Sequence, residues 1–444
     1  MFDVPTVKVF ENITPTNSGT GAEILEYDHL LPAVEEYKLS HADRSGRAWD
    51  SESGSLEELK SAKQLAMEYL LRTALRDVEA TTLESRNLWA DRFSRASIEL
   101  YGEPEGPEVT KLVSAEVEQW RSLEGNDSVS QPLLQYLQGA YEKVFGPDII
   151  RAPEEDRSEE LERERAVIKA YGEVLRKKYE PVFDLVDEAD KEEFTPDDLK
   201  QLFTEALKWL TDNEDQDWGE WQVEFKNGTA LSTGGSDRKV KVGKRRVTAS
   251  PEDTKKLLAH ELFVHALRSQ NAYHSSEEML LTGFPGFVDA EEGLGKLSEQ
   301  AIGGITEEPG RDRYVDIAIA LKEVDGTQIT RQELFLIHLA RDLIKAQSRG
   351  EFDESKLSSM TDSTWGSVDR IYRGGRGDDK GSKQAVYTKD IAYYVGYKKM
   401  AEYLSDQLAG GKSMTEIFEY VTLGSFDPTN PKDNERVAKA QSTT

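Results

Sequence analysis

Apolar residues recur along most of this chain at helical spacing, three or four positions apart. One run begins at Ser55, a predicted N-cap for which Glu58 completes a capping box. Another begins at Thr195, where Pro196 and two aspartates supply the N1 proline and the acidic first turn of a helix. Between them, further helical patterns cover residues about 82–100, 107–123, 131–145 and 156–178. The pattern therefore predicts a helical region over residues 51–215, after an irregular segment at 1–50.

Short β-like runs replace the helical pattern after residue 216. Trp221–Lys226 and Thr229–Ser232 flank Asn227-Gly228, a dipeptide typical of tight turns, which predicts a hairpin. Lys239–Val242 and Arg245–Thr248 predict a second pair of short strands. Beyond residue 310 the pattern is again mostly helical, apart from a glycine-rich loop at 373–381.

Composition narrows the class of protein. The 444 residues are 37% hydrophobic and 32% charged, and no segment approaches the length of a membrane span. Cysteine is absent, which excludes disulfides and thiolate ligands, and the first residues do not resemble a secretion signal, so we expect a cytoplasmic location. The formal net charge of −28 disfavours binding to nucleic acid or to anionic membranes.

The candidate chemistry lies in a helix that Ser250 begins. Within it, residues 260–265 read His-Glu-Leu-Phe-Val-His, and the chain has only six histidines. Two imidazoles beside a carboxylate are what a catalytic zinc site uses as metal ligands and general base. The histidines are five residues apart, however, which places them about 140° apart on a regular α-helix. Either the two residues do not share a metal, or the helix contains a π-type turn that realigns them.

A zinc site of this kind needs a third protein ligand and an open position for water. The nearby candidates are His274, His338, Glu291 and Glu292. His274 is in a polar loop and His338 is among apolar residues, so each has an ordinary structural explanation. Helical periodicity places Glu291 nearer the core face of its helix than Glu292, and it does not choose between the two.

Two stretches together resemble a known family. Residues 260–271 (HELFVHALRSQN) followed by 291–295 (EEGLG) resemble the family named for its Gln-Glu-Gly-Leu-Ala motif, which includes the microtubule-associated tyrosine carboxypeptidases. Further similar segments are 100–104 (LYGEP), 372–374 (YRG) and 387–390 (YTKD). Two positions depart from the family pattern, since Glu291 replaces glutamine and Gly295 replaces alanine.

The resemblance implies a zinc-dependent carboxypeptidase. The family's third ligand directly precedes the glycine of the motif, which implies that His260, His265 and Glu292 hold the zinc. Glu261 is then the general base that takes a proton from water and returns it to the leaving amine. A cation has to receive the terminal carboxylate of the substrate, and the matching segments offer Arg268, Arg373 and Lys389 as candidates.

The expected substrate is the C-terminus of a peptide or protein. We expect the short basic strand Lys239–Val242 to be the sheet edge that pairs with an extended peptide beside the zinc. Relatives that act on tubulin accept an acidic tail, and a chain at −28 needs a local basic groove to do the same. The sequence leaves microtubule binding open but does not favour it.

The expected fold class is α+β and predominantly helical. It comprises a gluzincin-like metallopeptidase core over residues 216–444, with a short sheet beside the zinc helix, and an N-terminal helical layer. The alternative from another functional class is a non-catalytic regulatory or interaction protein that contains zinc. A purely structural zinc would not need a base at position 261, which favours the enzyme.

Overall fold

The computed structural model describes residues 90–148, 158–372 and 384–442, apart from gaps at 92, 96, 99–100, 215–216, 236, 278, 285, 305–307, 322 and 325–326. The helix predicted to start at Ser55, the segment 1–50 and the glycine-rich loop at 373–381 lie outside the described residues.

The chain divides into two compact units. The first unit combines the described part of Met1–Glu155 with Gly310–Ile391, and the second combines that of Asp156–Pro309 with Ala392–Thr444. In this division Gly310–Ile391 groups with the described residues before Asp156, and the parts predicted from the sequence at 1–50, 51–215 and 216–444 stay a prediction. The HExxxH string belongs to the second unit.

Helices make up most of both units. In chain order they are α1 Gly106–Arg121, α2 Gln131–Phe145, α3 Ser158–Glu188, α4 Pro196–Asn213, α5 Pro251–His260, α6 Leu267–Tyr273, α7 Met279–Thr282, α8 Phe287–Gly303, α9 Arg311–Leu321, α10 Arg331–Ser348, α11 Leu357–Ile371, α12 Ile391–Ala409, α13 Met414–Val421 and α14 Pro431–Gln441. The strands are β1 Gln222–Lys226, β2 Leu231–Gly234, β3 Lys239–Gly243, β4 Glu323–Val324 and β5 Thr327–Gln328. The mostly helical α+β character predicted from the sequence is confirmed.

Two predicted helix starts are confirmed by their capping contacts. The Thr195 hydroxyl accepts from the backbone N–H of Asp198, and the Asp198 carboxylate accepts in return from the N–H of Thr195. The Ser250 side chain accepts from the N–H of Asp253, and it thereby begins α5. Each contact satisfies a donor that would otherwise be unpaired at the helix N-terminus.

The core of the second unit packs against the HExxxH helix. Helix α3 is kinked at Tyr179, two residues before Pro181, which removes a backbone donor and disturbs the preceding turn. The Tyr179 ring stacks on Phe263 at a centroid distance of 3.9 Å, and Phe183 meets the same ring edge-on at 5.4 Å. Leu262, Phe263 and Val264 are completely buried. This packing fixes one side of the helix, and the histidines occupy another.

The three-stranded sheet corrects two predictions from the sequence. Its order is β1–β3–β2, in which β3 pairs parallel with β1 and antiparallel with β2. The strands on either side of Asn227-Gly228 therefore do not form a hairpin with each other, because β3 lies between them. The prediction that Lys239–Val242 is a sheet edge is also wrong. This segment pairs with a strand on each side, and its Val240 and Val242 are completely buried.

The prediction of a strand at Arg245–Thr248 is likewise wrong in its pairing. Instead of pairing with β3, Thr248 forms an isolated antiparallel bridge with Phe194. The Arg245 N–H donates to the carbonyl of Gly228 at 3.0 Å, so the chain after β3 caps the β1–β2 connection.

In the first unit, buried charges are paired within an apolar helical core. Trp120 and Tyr141 pack edge-to-face with centroids 4.9 Å apart. Arg341 is fully buried and donates to Asp316 at 2.8 Å and to the Tyr141 hydroxyl at 2.9 Å. These contacts compensate the cost of burying the guanidinium.

None of the helices within the described ranges combines the length and apolar character that a membrane-spanning helix needs.

Candidate metal centre

A π-helical segment, Glu261–Ala266, joins α5 to α6. The Leu267 N–H donates to the carbonyl of Leu262, five residues earlier, which is the wide turn that an i, i+5 spacing requires. As a result, the rings of His260 and His265 lie side by side with centroids 4.8 Å apart. The predicted π-type turn is confirmed.

Glu292, on α8, faces both histidines. Its Oε2 lies 3.7 Å from Nε2 of His260 and 4.0 Å from Nε2 of His265. The three side chains offer one potential ligand atom each, all within 4.8 Å of one another. Glu291, which periodicity left as the alternative, contacts the other nitrogen of His265, Nδ1. The structure thus brings His260, His265 and Glu292 together.

A carboxylate holds the outer nitrogen of each imidazole. Glu299 Oε1 lies 2.7 Å from Nδ1 of His260, and Glu291 Oε1 lies 2.7 Å from Nδ1 of His265. Such a contact fixes the ring and places a proton on Nδ1, which leaves Nε2 to face a metal. Both rings are therefore oriented toward the same point.

Two glycines of the motif allow this close packing. A Cβ at Gly295 would lie 2.6 Å from Cε1 of His260, so any side chain there would displace the ring. A Cβ at Gly293 would collide with the backbone of Gly396, where α8 crosses α12. Gly295, which departs from the family's alanine, thus gives His260 its space.

Glu261 is buried, and strand β2 holds it beside the histidines. The Thr233 hydroxyl donates to Oε2 of Glu261 at 2.7 Å and lies 3.2 Å from its backbone oxygen. Only 7% of Glu261 is exposed, so this contact decides its orientation.

Mutual interactions of imidazoles and carboxylates set the electrostatics of the site. Burial lowers the pKa of His260, but its contacts with Glu292 and Glu299 outweigh burial and raise that pKa to about 10. Burial raises the pKa of Glu299, but Lys296 and His260 outweigh it and lower that pKa to about 2. The pKa of His265 is raised in the same way, mainly by Glu291. The site therefore stabilises positive charge.

The donor set fits a zinc ion. Two imidazole nitrogens and one glutamate oxygen are a common protein ligand set of catalytic zinc. Carboxylates on both Nδ1 atoms are the outer contacts that metal-bound histidines usually make. His260, His265 and Glu292 are the residues that would hold the ion.

Comparison with known families agrees with this geometry. Residues 158–318 match the family model described as microtubule-associated tyrosine carboxypeptidase. Over this stretch the chain is similar to that carboxypeptidase family. The match covers somewhat more than a third of the chain and includes α3, the three-stranded sheet, the HExxxH helix and α8. The resemblance seen in the sequence is confirmed there. Searches of curated proteins and of solved structures found no match.

The cations predicted to bind substrate have different locations. Arg268 is 1% exposed, and it donates to the carbonyl oxygens of Gly424 and Phe426 at 2.6 Å each. Lys389 is half-buried and belongs to the first unit, and Arg373 lies outside the described residues. Lys389 and Arg373 also lie outside the family match. All three substrate-binding roles stay predictions, and the contacts of Arg268 favour a bracing role.

The other candidate ligands have separate roles. His274 directly follows α6 and is exposed, and His338 is in the first unit between Asp316 and Asp342. Asn271, which follows the HExxxH string, donates to the carbonyl of Thr422 at 2.7 Å and so orients a loop.

Sequence reasoning missed three residues of the site: Thr233, Glu299 and Ser425. Glu299 follows Glu292 by seven residues and hence lies on the same face of α8. This spacing could have pointed to Glu299 from the sequence. Thr233 and Ser425 approach from a strand and a loop far away in sequence. No local pattern points to either of them.

Proposed function

We propose that this chain is a zinc-dependent metallopeptidase of the carboxypeptidase type. It would remove the C-terminal residue of a peptide or protein with a gluzincin-like ligand set, His260, His265 and Glu292. The carboxypeptidase assignment is taken from the family matched over residues 158–318. We do not extend it to microtubules, because a net charge of −28 opposes acidic partners without a local basic surface.

One observation carries the proposal: a buried, oriented carboxylate directly adjoins three converging ligand atoms. The ligand atoms lie within 4.8 Å of one another. Glu261 follows His260 in the chain, and its charge contributes to the raised pKa of that histidine. A purely structural metal site needs the ligands but not the base, so the retained and oriented Glu261 favours catalysis.

Each side chain of the site has a separate role in the proposed peptide hydrolysis. A zinc ion held by His260, His265 and Glu292 would lower the pKa of a water ligand to about 7 and polarise the substrate carbonyl. Oε1 of Glu261 accepts the proton of the attacking water and delivers it to the leaving amine. The hydrogen bond from Thr233 holds Oε2, so that Oε1 keeps one orientation during both transfers.

Strand β2 is the edge that we propose for peptide binding, in place of the central β3. Its Thr233 contacts Glu261 directly, and its only paired neighbour among the described strands is β3. An extended peptide added to the free side would lie next to the base.

Lys226 becomes a further candidate for the terminal carboxylate of the substrate. It ends β1, is half-buried, and donates to the Ser232 hydroxyl of β2 at 2.6 Å. Burial lowers the pKa of Lys226, and the charge of Glu261 opposes this. Unlike Lys389, it belongs to the same unit as the ligands.

A peptide library tests the function. Purified protein with one equivalent of zinc is incubated with peptides that have either a free or an amidated C-terminus, and mass spectrometry identifies the products. We expect loss of single C-terminal residues from the free peptides alone. Shortening from the N-terminus, equal cleavage of amidated peptides, or no hydrolysis at all would contradict a carboxypeptidase.

A further inference from the structure

The segment Gly424–Phe426 contacts the candidate metal centre although it lies about a hundred residues beyond the family match. The Ser425 hydroxyl donates to Oε2 of Glu291 at 3.0 Å. Arg268 joins both sides, because its Nη1 lies 3.3 Å from the same Glu291 oxygen and its other donors bind Gly424 and Phe426. Glu291 in turn contacts His265.

Because these side chains have little access to water, their contacts determine the position of Glu291. Arg268 is 1% and Ser425 6% exposed, and the Glu291 side chain is 14% exposed, so water has little access to the place of a lost partner. A buried guanidinium without its carboxylate, or a carboxylate without its donors, is strongly destabilised. Glu291 therefore has one favourable position, which both Arg268 and Ser425 define.

The segment itself is anchored by backbone hydrogen bonds. The Ser425 N–H donates to the carbonyl of Leu280 at 2.7 Å, and the Ser425 carbonyl accepts from the N–H of Phe284 at 2.9 Å. Rotation of the segment away from Glu291 would break both bonds. It is thus a fixed support.

We propose that Gly424–Phe426 supports the metal centre. Its Ser425 contacts Glu291, and Glu291 contacts His265. In this arrangement Glu291 and Ser425 are positioning residues that direct Nε2 of His265 toward Glu292. The inference rests on the metal site of the proposed function, and it adds a region that the family model does not include.

The two histidines are supported differently. Glu299, which holds His260, has Lys296 of its own helix as an anchor, at 2.8 Å. Glu291, which holds His265, is anchored by the distant segment. Substitutions after residue 420 should therefore affect the His265 ligand, whereas the His260 support is local to α8.

The test measures zinc affinity by chelator competition, together with the visible absorption spectrum of the cobalt-substituted protein. We expect Glu291→Ala to weaken zinc binding about 10- to 100-fold and to alter the cobalt bands. Glu291→Gln should restore part of the affinity, because an amide oxygen can still accept from Nδ1 of His265. Ser425→Ala should weaken binding a few-fold.

Matched controls are Glu435→Gln and Ser442→Ala, both exposed positions on or at the end of α14. They should leave zinc affinity and the cobalt spectrum unchanged. If Glu291→Ala does not fold, Ser425→Ala and Glu291→Gln decide the outcome. Wild-type affinity and spectrum in both of these would overturn the proposal. Because no readout uses peptide hydrolysis, a failure of the carboxypeptidase proposal would remain distinguishable.

Discussion

Two histidines of this protein, the half-buried His265 in the second unit and the buried His338 in the first, both contact carboxylates. They differ in how many of their ring nitrogens contact a carboxylate closely. His338 contacts Asp316 through Nδ1 at 2.5 Å and Asp342 through Nε2 at 3.2 Å. His265 contacts Glu291 through Nδ1 at 2.7 Å, while its Nε2 is 4.0 Å from Glu292. A histidine held on both sides braces the fold, whereas one held on a single side presents a nitrogen to a ligand.

A raised pKa does not distinguish these two roles. Burial lowers the pKa of His338, but the charge and hydrogen bond of Asp316 outweigh burial and raise it to about 9. The pKa of His260, in the candidate metal centre, is similarly raised, to about 10. Geometry is therefore the criterion that separates a candidate metal ligand from an ion-pair residue in this protein.

The largest effect separates the two histidines directly. His265→Ala should weaken zinc binding by more than the roughly 100-fold that the loss of an outer contact costs, and should abolish hydrolysis. His338→Ala should leave the zinc affinity unchanged. Metal analysis after dialysis, with chelator competition, measures both. Equal zinc loss in the two variants would contradict the assignment of His265 as a ligand and His338 as an ion-pair residue.

Substitution of His338 should instead affect the stability of the fold, and this effect should depend on pH. His338→Gln should lower the free energy of unfolding by roughly 1.5–3 kcal/mol, because Asp316 loses its charged partner His338 and keeps only Arg341 as a buried cation. Since the folded pKa of His338 is raised, its contribution is complete below about pH 6.5 and is lost as the pH rises through about 9. Urea unfolding of wild type and variant at pH 6, 7.5 and 9 measures the difference. A gap that widened with pH would contradict the ion pair.

A smaller effect should follow from the space beside His260. Gly295→Ala should weaken zinc binding about tenfold, because the added methyl group displaces a ring that Glu299 otherwise fixes. Gly139→Ala is the control, since a Cβ at this position of α2 meets nothing within 4 Å. Unchanged zinc affinity in Gly295→Ala would show that the ring has room to move.

The smallest expected effect is on the proposed base Glu261 and not on the proposed zinc ligands. Thr233→Val should lower kcat by a few-fold to about tenfold, because Glu261 loses the hydrogen bond that orients it. Zinc affinity should not change. Steady-state kinetics on a peptide that the wild type cleaves gives kcat and KM separately. A change confined to KM would assign Thr233 to substrate binding.

The local features of this protein could be predicted from its sequence. The i, i+5 spacing of His260 and His265 predicts a π-type turn if both share a metal, and that turn is present. The helix starts at Thr195 and Ser250 could be predicted because a cap depends on neighbouring residues alone.

Features that depend on distant contacts could not be predicted. Asn227-Gly228 has the composition of a hairpin turn, but β3, whose Val240 and Val242 are completely buried, lies between the flanking strands and pairs with both. The choice of Glu292 over Glu291 depends on how α8 faces the HExxxH helix, which periodicity leaves undetermined. Ser425 reaches the site only through the tertiary fold.

The most direct test of the central proposal compares wild type with Glu261→Gln. Zinc content and the rate of C-terminal residue release are measured for both on the same peptide. We expect equal zinc binding, about one ion per chain, and a rate about 10²- to 10⁴-fold lower in the variant. Zinc-loaded wild type without hydrolysis of any peptide, or a variant as active as wild type, would contradict a zinc peptidase with Glu261 as its base.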